Sequence, residues 1–337
     1  LAANQNNSEA QYLLGQIHEL DLDAPRDIEK ALHYYSLAAD QNLAKAQFTM
    51  GNIYLTGSYV QQDIRKTIYY YTLAANQNHR AAQYDLGLFY ERGEGVQRDI
   101  NKAIYYYSLA ANQNDVNSIF KLGAIYYSRR YNIQRDINKV IYYWTIASNL
   151  NDKEAQYNLG VIYEDGIDVP RDIDKSIYFY SLSANQNYPL AQKNLGLIYF
   201  IGKYVKKDIK KSIQYFELAA NQNDSASQVM LGQIYEIGDY VKRDINKAVY
   251  YYSLASNNYD PNANFLLGRM YFNGINIHKD INKIIHYFTL ASNRNHADAQ
   301  LNLGLIFCEG IYVKQNLNKG TFLLIHSSKN RNIKAYF

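Results

Sequence analysis

A glycine returns nine times at the same point of a repeating pattern: Gly15, Gly51, Gly87, Gly123, Gly160, Gly196, Gly232, Gly268 and Gly304. Each gap is 36 residues, except the 37 that separate Gly123 from Gly160. The residue before it is always Leu, or Met at position 50. A period of this length belongs to stacked supersecondary units that contact only their neighbours, so the 337 residues need no shared centre. Such a chain offers a long surface rather than a deep pocket.

The fifth copy shows what one unit builds. Ala155, Leu159, Ile162 and Tyr163 fall at offsets 0, 4, 7 and 8, one face of a 3.6-residue helix. Gly160 lies inside that helix, where it costs about 1 kcal/mol relative to Ala. Its return in every copy calls for a compensating gain, and close approach of the partner helix supplies one. Gly166 marks the stop, with a left-handed end expected. Asp172 then reads as the N-cap of a second helix, its carboxylate accepting from free N–H groups of the first turn. The same Asp recurs at 27, 63, 99, 136, 208, 244 and 280, with Asn316 in the ninth copy. Ile173, Ser176, Ile177, Tyr180, Ser183 and Ala184 form the inward stripe. Asn187 closes the helix, since Asn tolerates the left-handed region better than other non-glycine residues. Asn42, Asn78, Asn114, Asn151, Asn223 and Asn295 repeat the device, and Tyr259 is expected to break it.

Four prolines check this reading. Pro25 and Pro170 fall in the loop before a second helix, and Pro189 and Pro261 at the start of a first helix. None sits in a helix interior, where it would cost about 3 kcal/mol. The expected fold is therefore all-α, a solenoid of about nine antiparallel helix pairs. A single array spans 1–337. A partial helix at 1–6 precedes repeats at about 7–42, 43–78, 79–114, 115–151, 152–187, 188–223, 224–259, 260–295 and 296–337. Leu1 to Asn6 reads as the tail of a further repeat, so the protein is expected to begin upstream.

These spaced residues resemble the Sel1-like repeat family, a relative of the tetratricopeptide repeat. In the third copy the family pattern is carried by Ala82, Leu86, Gly87, Tyr90, Gly93, Gly95, Val96, Asp99, Lys102, Ala103, Tyr107, Ala110 and Ala111. The chain departs from it in replacing the terminal glycine by Asn and the usual Trp mostly by Tyr. The fourth copy carries a one-residue insertion near Arg129 and Arg130. The ninth is the most degenerate, as terminal repeats are. The resemblance implies a right-handed α/α superhelix acting as a non-catalytic scaffold or adaptor, with proteins or peptides as partners and no cofactor. It also admits two alternatives: the regulatory arm of a larger enzyme such as a protein kinase, and an endoplasmic-reticulum quality-control adaptor.

Several rows of side chains carry a structural and a functional reading together. Lys30, Lys66, Lys102, Lys139, Lys175, Lys211, Lys247, Lys283 and Lys319 occupy one position without exception. A cation in the first helical turn faces the positive end of the macrodipole, unfavourable by about 0.3–1 kcal/mol. The structural reading packs its stem over the first helix's Tyr with the ammonium near an acid; the other makes it a ligand-facing row. Arg26, Arg98, Arg135, Arg171, Lys207, Arg243 and Lys279 precede the capping position and form a basic edge. They either pair locally with Glu19, Glu91, Glu164 and Glu236 or read an acidic partner. Tyr107, Tyr180 and Tyr252 belong to the packed stripe, whereas Tyr69, Tyr105, Tyr142, Tyr178 and Tyr250 fall on the opposite side. With 36 tyrosines in the chain, that outer row fits either a contact surface or a compositional bias.

Two first-helix positions change most between copies. One runs through Thr49, Asp85, Lys121, Asn158 and Asn194; the other runs through Asn52, Leu88, Ala124, Gln233 and Arg269. In related helix-pair solenoids the first helix lines the concave face. Asn52, Asp85, Lys121, Asn158, Asn194, Gln233 and Arg269 are therefore the candidate protein-binding residues.

Other classes find little support. The formal net charge of +4, read as evenly spread, is too weak to argue for nucleic acid or an anionic membrane. Cys308 is the only cysteine, which leaves no disulfide framework. No stretch of 18 apolar residues suggests a membrane span. The seven histidines share no metal-ligand spacing, and Gly93-Glu94-Gly95 lacks the rest of a phosphate-binding loop. Asn6 and Asn223 stand in formal glycosylation triplets, which chance accounts for in so Asn-rich a chain.

Overall fold

The computed structural model describes residues 7–20, 26–128, 133–274, 278–311 and 313–334, with side chains to residue 330. Among these, all regular structure is helical. The chain divides into two compact units, Leu1–Leu159 and Gly160–Phe337. The first holds α1 (Ser8–Leu20), α2 (Ile28–Asp40), α3 (Ala44–Thr56), α4 (Ile64–Asn76), α5 (Arg80–Arg92), α6 (Ile100–Ala111), α7 (Val116–Tyr127) and α8 (Ile137–Asn149). The division falls within α9 (Lys153–Asp165). The second holds α10 (Ile173–Asn185), α11 (Pro189–Ile201), α12 (Ile209–Ala220), α13 (Ser225–Ile237), α14 (Ile245–Asn257), α15 (Pro261–Asn273), α16 (Ile281–Asn293), α17 (Ala297–Glu309) and α18 (Leu317–Lys334). In each unit, odd- and even-numbered helices pack as pairs and each pair packs on the next.

The repeated glycine is where a pair closes. A β-carbon built on Gly87 would lie 2.5 Å from two ring carbons of Tyr107 on the partner helix. The same contact joins Gly15 to Tyr35, Gly51 to Tyr71 and Gly123 to Trp144 in the first unit. In the second it joins Gly160 to Tyr180, Gly196 to Phe216, Gly232 to Tyr252 and Gly268 to Phe288. Only the ninth copy replaces the ring, with Leu324 against Gly304. Most of these rings are fully buried, and burying an aromatic side chain is worth roughly 1.5–3 kcal/mol. That exceeds the propensity cost of one helical glycine.

Helix ends follow the expected chemistry. Asp27, Asp63, Asp99, Asp136, Asp172, Asp208, Asp244 and Asp280 each accept from the backbone N–H of the lysine three residues on. Asn316 does the same toward Lys319 at 3.0 Å. Gly166 adopts φ +63°, the left-handed stop. Asn42, Asn78, Asn114, Asn151, Asn187, Asn223 and Asn295 all have φ between 57° and 67°. Tyr259 was expected to break this device, and it does not. It takes φ 60°, and Asp260 N–H still reaches Ala255 O at 3.0 Å, as His79 N–H reaches Ala74 O at 3.1 Å. The packing on either side fixes the turn, and a residue ill-suited to that conformation bears a strain of roughly 1–2 kcal/mol. Pro170 lies in a loop, and Pro189 and Pro261 open their helices. Pro25, the Arg129–Arg130 insertion and the leading residues 1–6 lie outside the described residues.

A glutamine chain joins the pairs, which the repeat pattern alone had not suggested. Buried Gln47 donates to Ala39 O of the preceding pair at 3.2 Å and accepts from Gln77 at 2.6 Å. Gln83 repeats this with Ala75 O and Gln113. In the second unit Gln192 does so with Ala184 O and Gln222. Each amide satisfies a helix-terminal carbonyl that burial would otherwise leave without a donor.

The glycine contact is testable. Replacing Gly87 by Ala gains up to about 1 kcal/mol of helix propensity but forces a methyl into the Tyr107 ring, an overpacking of about 1–3 kcal/mol. The G87A variant should therefore have a lower urea unfolding midpoint than the parent chain. A midpoint unchanged or raised would show that the ring yields without loss.

Candidate protein-interaction surface

The lysine row is absorbed by the fold. Lys66, Lys102 and Lys139 place their ammonium groups 4.6, 5.0 and 4.5 Å from the ring centres of Tyr54, Tyr90 and Tyr126. In the second unit Lys175, Lys211, Lys247 and Lys283 sit 4.7–5.1 Å from Tyr163, Tyr199, Tyr235 and Tyr271. Those rings in turn stack on a second-helix aromatic, as Tyr90 does on Tyr106 at 5.7 Å and 8°. An exposed cation–π contact contributes about 0.5–1 kcal/mol, the same size as the adverse macrodipole term. Capping also holds the Asp27 carboxyl below its usual range, through the Lys30 backbone N–H first and the Lys30 side chain second.

The basic edge is tied to helix ends. Nε of Arg98, Arg171 and Arg243 donates to the carbonyl oxygens of Glu91, Glu164 and Glu236 at 3.0, 2.7 and 2.9 Å. These are cations on the negative ends of first helices. Arg135 lies over Tyr127 at 4.6 Å, and Lys207 over Tyr240 at 4.0 Å. The local partner is thus the glutamates' backbone, because their carboxylates are directed inward.

Those carboxylates expose a two-column pattern. Glu91 accepts from the hydroxyl of the buried core Tyr107 at 2.6 Å. Glu19 does so from Tyr35, Glu164 from Tyr180, and Glu236 from Tyr252. Where the core ring has no hydroxyl, the acid is gone: Tyr127 accompanies Trp144, Phe200 accompanies Phe216, and Phe272 accompanies Phe288. In the second copy Leu55 stands at the acid's position, and the Tyr71 hydroxyl turns to Asn52 instead. Burial, then the hydrogen-bonded carboxylate, pushes the Tyr107 phenol far above its ordinary range. Comparing the two columns 16 residues apart would have revealed this pairing from sequence.

The candidate binding residues are all partly buried, and four of them bond to one of these carboxylates or core phenols. Lys121 reaches Glu91 at 3.1 Å, and Arg269 reaches Glu236 at 2.8 Å. Asn194 donates to the Tyr180 hydroxyl at 2.9 Å. Asn158 lies half-buried on α9, and Gln233 lines a cleft on α13. Asp85 is the one acid among the seven. Burial, and secondarily Asp115, push its carboxyl up to about 6, whereas the same position elsewhere carries the neutral Asn158, Asn194 and Asn302.

The outer tyrosines Tyr69, Tyr105, Tyr142, Tyr178 and Tyr250 are 58–61% exposed, each edge-on to the ring that follows it. Charge is less even than the sequence reading held. Lys203, Lys206, Lys207, Lys210 and Lys211 lie within nine residues that hold one acid, Asp208, so the remainder of the chain is formally neutral. Histidine has a structural use as well, with His79 and His296 capping α5 and α17 through Nδ1. Cys308 is partly buried, its sulfur facing Gly320 of α18. Among the described residues, no three His, Cys, Asp or Glu side chains gather to hold a metal, and no helix is long and apolar enough to cross a membrane.

Helix pairs locked by ring-on-glycine contacts and repeated along the chain define an α-solenoid of nine repeats. The Sel1 repeat pattern matches residues 8–43, 44–79, 80–115, 116–152, 153–188, 189–224, 225–260, 261–296 and 297–325, and the chain belongs to this family. Among solved structures it is similar to a Sel1 repeat protein from Oxalobacter formigenes, at 26% identity and a TM-score of 0.77, covering 90% of this chain and 88% of that one. It is also similar to a protective antigen of uropathogenic Escherichia coli strains, at 26% identity and a TM-score of 0.71, covering 99% and 81%. No curated protein matches significantly in sequence.

Asp85 gives this surface a pH signature. Its folded-state pKa lies above the ordinary carboxylate value, so the folded chain holds the proton more tightly. Stability contributed by the neutral form is present at low pH and is lost as pH rises through about 6. Asp85→Asn should therefore raise the thermal midpoint at pH 7.5 and leave it nearly unchanged at pH 4. An equal effect at both values would remove the carboxyl from the explanation.

Proposed function

We propose that this chain is a non-enzymatic scaffold that holds partner proteins along the first-helix face of its repeats. The observation that carries the reading is a division of labour between positions. Glycine, core ring, capping Asp and row Lys recur from copy to copy and are consumed by the fold. On the first helices, one position alone runs from Thr49 through Asp85, Lys121, Asn158 and Asn194 to Met230. A constant frame presenting changing side chains suits recognition of an extended partner segment, one contact per repeat.

Asn52, Asp85, Lys121, Asn158, Asn194, Gln233 and Arg269 would contact that segment. All seven are half-buried, and Lys121, Asn194 and Arg269 are already held by Glu91, Tyr180 and Glu236, so little side-chain entropy is lost there on binding. The edge formed by Arg98, Arg135, Arg171, Lys207 and Arg243 would meet acidic stretches of the same partner. Membership of a family of protein-interaction repeats supports the reading.

A photo-crosslinking amino acid placed singly at Asn52, Asn158 or Gln233 should capture a partner in cells. The same probe at the outer positions Tyr69, Tyr142 or Tyr250 should capture it weakly or not at all. Crosslinks arising solely from the outer positions would reverse the assignment of faces.

A further inference from the structure

On the second unit, two candidate features that are separate in sequence meet. Phe200, Met230, Gln233, Ile234, Ile237 and Tyr240 line a cleft of about 260 Å³, overwhelmingly apolar. That is below the roughly 300–1,000 Å³ of a small-molecule site, and suits one large side chain from a partner. Ile237 on its rim is 61% exposed, and the neighbouring Ile201 62%.

The rim is cationic. Lys207 lies 4.0 Å from the centre of the Tyr240 ring and 5.2 Å from that of Phe200, and it donates to the Tyr240 hydroxyl at 2.7 Å. Lys203, Lys206, Lys210 and Lys211 surround it on the same loop and helix start, all exposed. The one acid among them, Asp208, is committed to the α12 N-terminus at 3.0 Å. Asp239 beside Tyr240 is the acid on the next loop. A hydrogen bond from the Lys203 side chain, with Arg171 beside it, pulls the Tyr204 phenol below its ordinary range.

We infer that this cleft docks a protein segment presenting one large apolar side chain flanked by Asp or Glu. The inference rests on the scaffold reading above and narrows it to one place and one chemistry. The apolar side chain supplies burial at the cleft, and the flanking acids meet the lysines, which set orientation and association rate more than affinity. A neutral apolar segment would bring no anion to the lysines, and an acidic segment lacking the anchor would leave the cleft wet.

The test is selection of random 12-residue peptides displayed on phage by the intact immobilised chain. Recovered sequences should centre on Leu, Met, Phe or Ile with Asp or Glu within two positions. In fluorescence polarisation with the labelled peptides, Ile237→Glu and Lys207→Glu should each weaken binding by roughly tenfold or more. Both residues are exposed, so the helical circular-dichroism signal should persist. Raising NaCl from about 50 to about 250 mM should weaken binding severalfold, and Lys66→Glu in the first unit should change nothing. Recovery of no peptide, peptides without acids, or binding indifferent to both variants would overturn the inference. So would tight binding of single-stranded RNA or phosphatidylserine vesicles that Lys207→Glu abolishes and Ile237→Glu spares. If first-helix crosslinks form while no such peptide is recovered, the scaffold stands and this docking site falls.

Discussion

An aromatic ring resting on bare backbone sets the geometry of nearly every repeat. Without a side chain at Gly87, the flat face of Tyr107 settles against α5, and the two helices close around it. A helix gives up propensity at that glycine, and the buried ring returns more than it loses. The depth of the ring also fixes where its far edge emerges. In the first, third, fifth and seventh copies that edge carries a hydroxyl into the end of the first helix, where Glu19, Glu91, Glu164 or Glu236 receives it. The polar features of the first-helix face descend from this one contact.

The remaining regularities take up what the glycine contact leaves unsatisfied. Second-helix N–H groups go to Asp caps, and buried carbonyls at the helix ends go to the glutamine chain. The lysine that opens a second helix lies over a first-helix ring in every copy but the first, where Lys30 pairs with Asp27. Once these needs are met, chemistry varies chiefly at first-helix positions and in the loops. The sixth repeat combines several departures: a phenylalanine core, no acid at the helix end, five lysines nearby, and Gln214 where other copies carry an outer aromatic or His.

Much of this was legible in the residues because it is local and recurs. The helix pairs, the Asp caps, the asparagine turns and the lysine over its tyrosine each follow from spacing within a few turns. Tyr259 misled because residue preference is a weak force beside packing, and its neighbours impose the turn regardless. The glutamate–tyrosine pairing was hidden for a different reason: it lies in the joint variation of two columns, not in either column alone. Asp85 looked like one more variable surface residue, and only its depth near Asp115 distinguishes it from the asparagines at its position. The lysine concentration was readable from the outset and was lost in a total averaged over the whole chain.

Glu91 and Tyr107 belong to the same 36-residue module, as do Glu164 and Tyr180, and Glu236 and Tyr252. A gene that gains or loses a whole module by unequal crossing-over therefore carries acid and phenol along together, wherever the breakpoint falls outside that pair. A junction between the two residues that joined such a copy to one with Trp144, Phe216 or Phe288 would leave the carboxylate without its phenol. Whole-module changes in array length thus keep these bonds, while a junction that splits an acid from its phenol loses one.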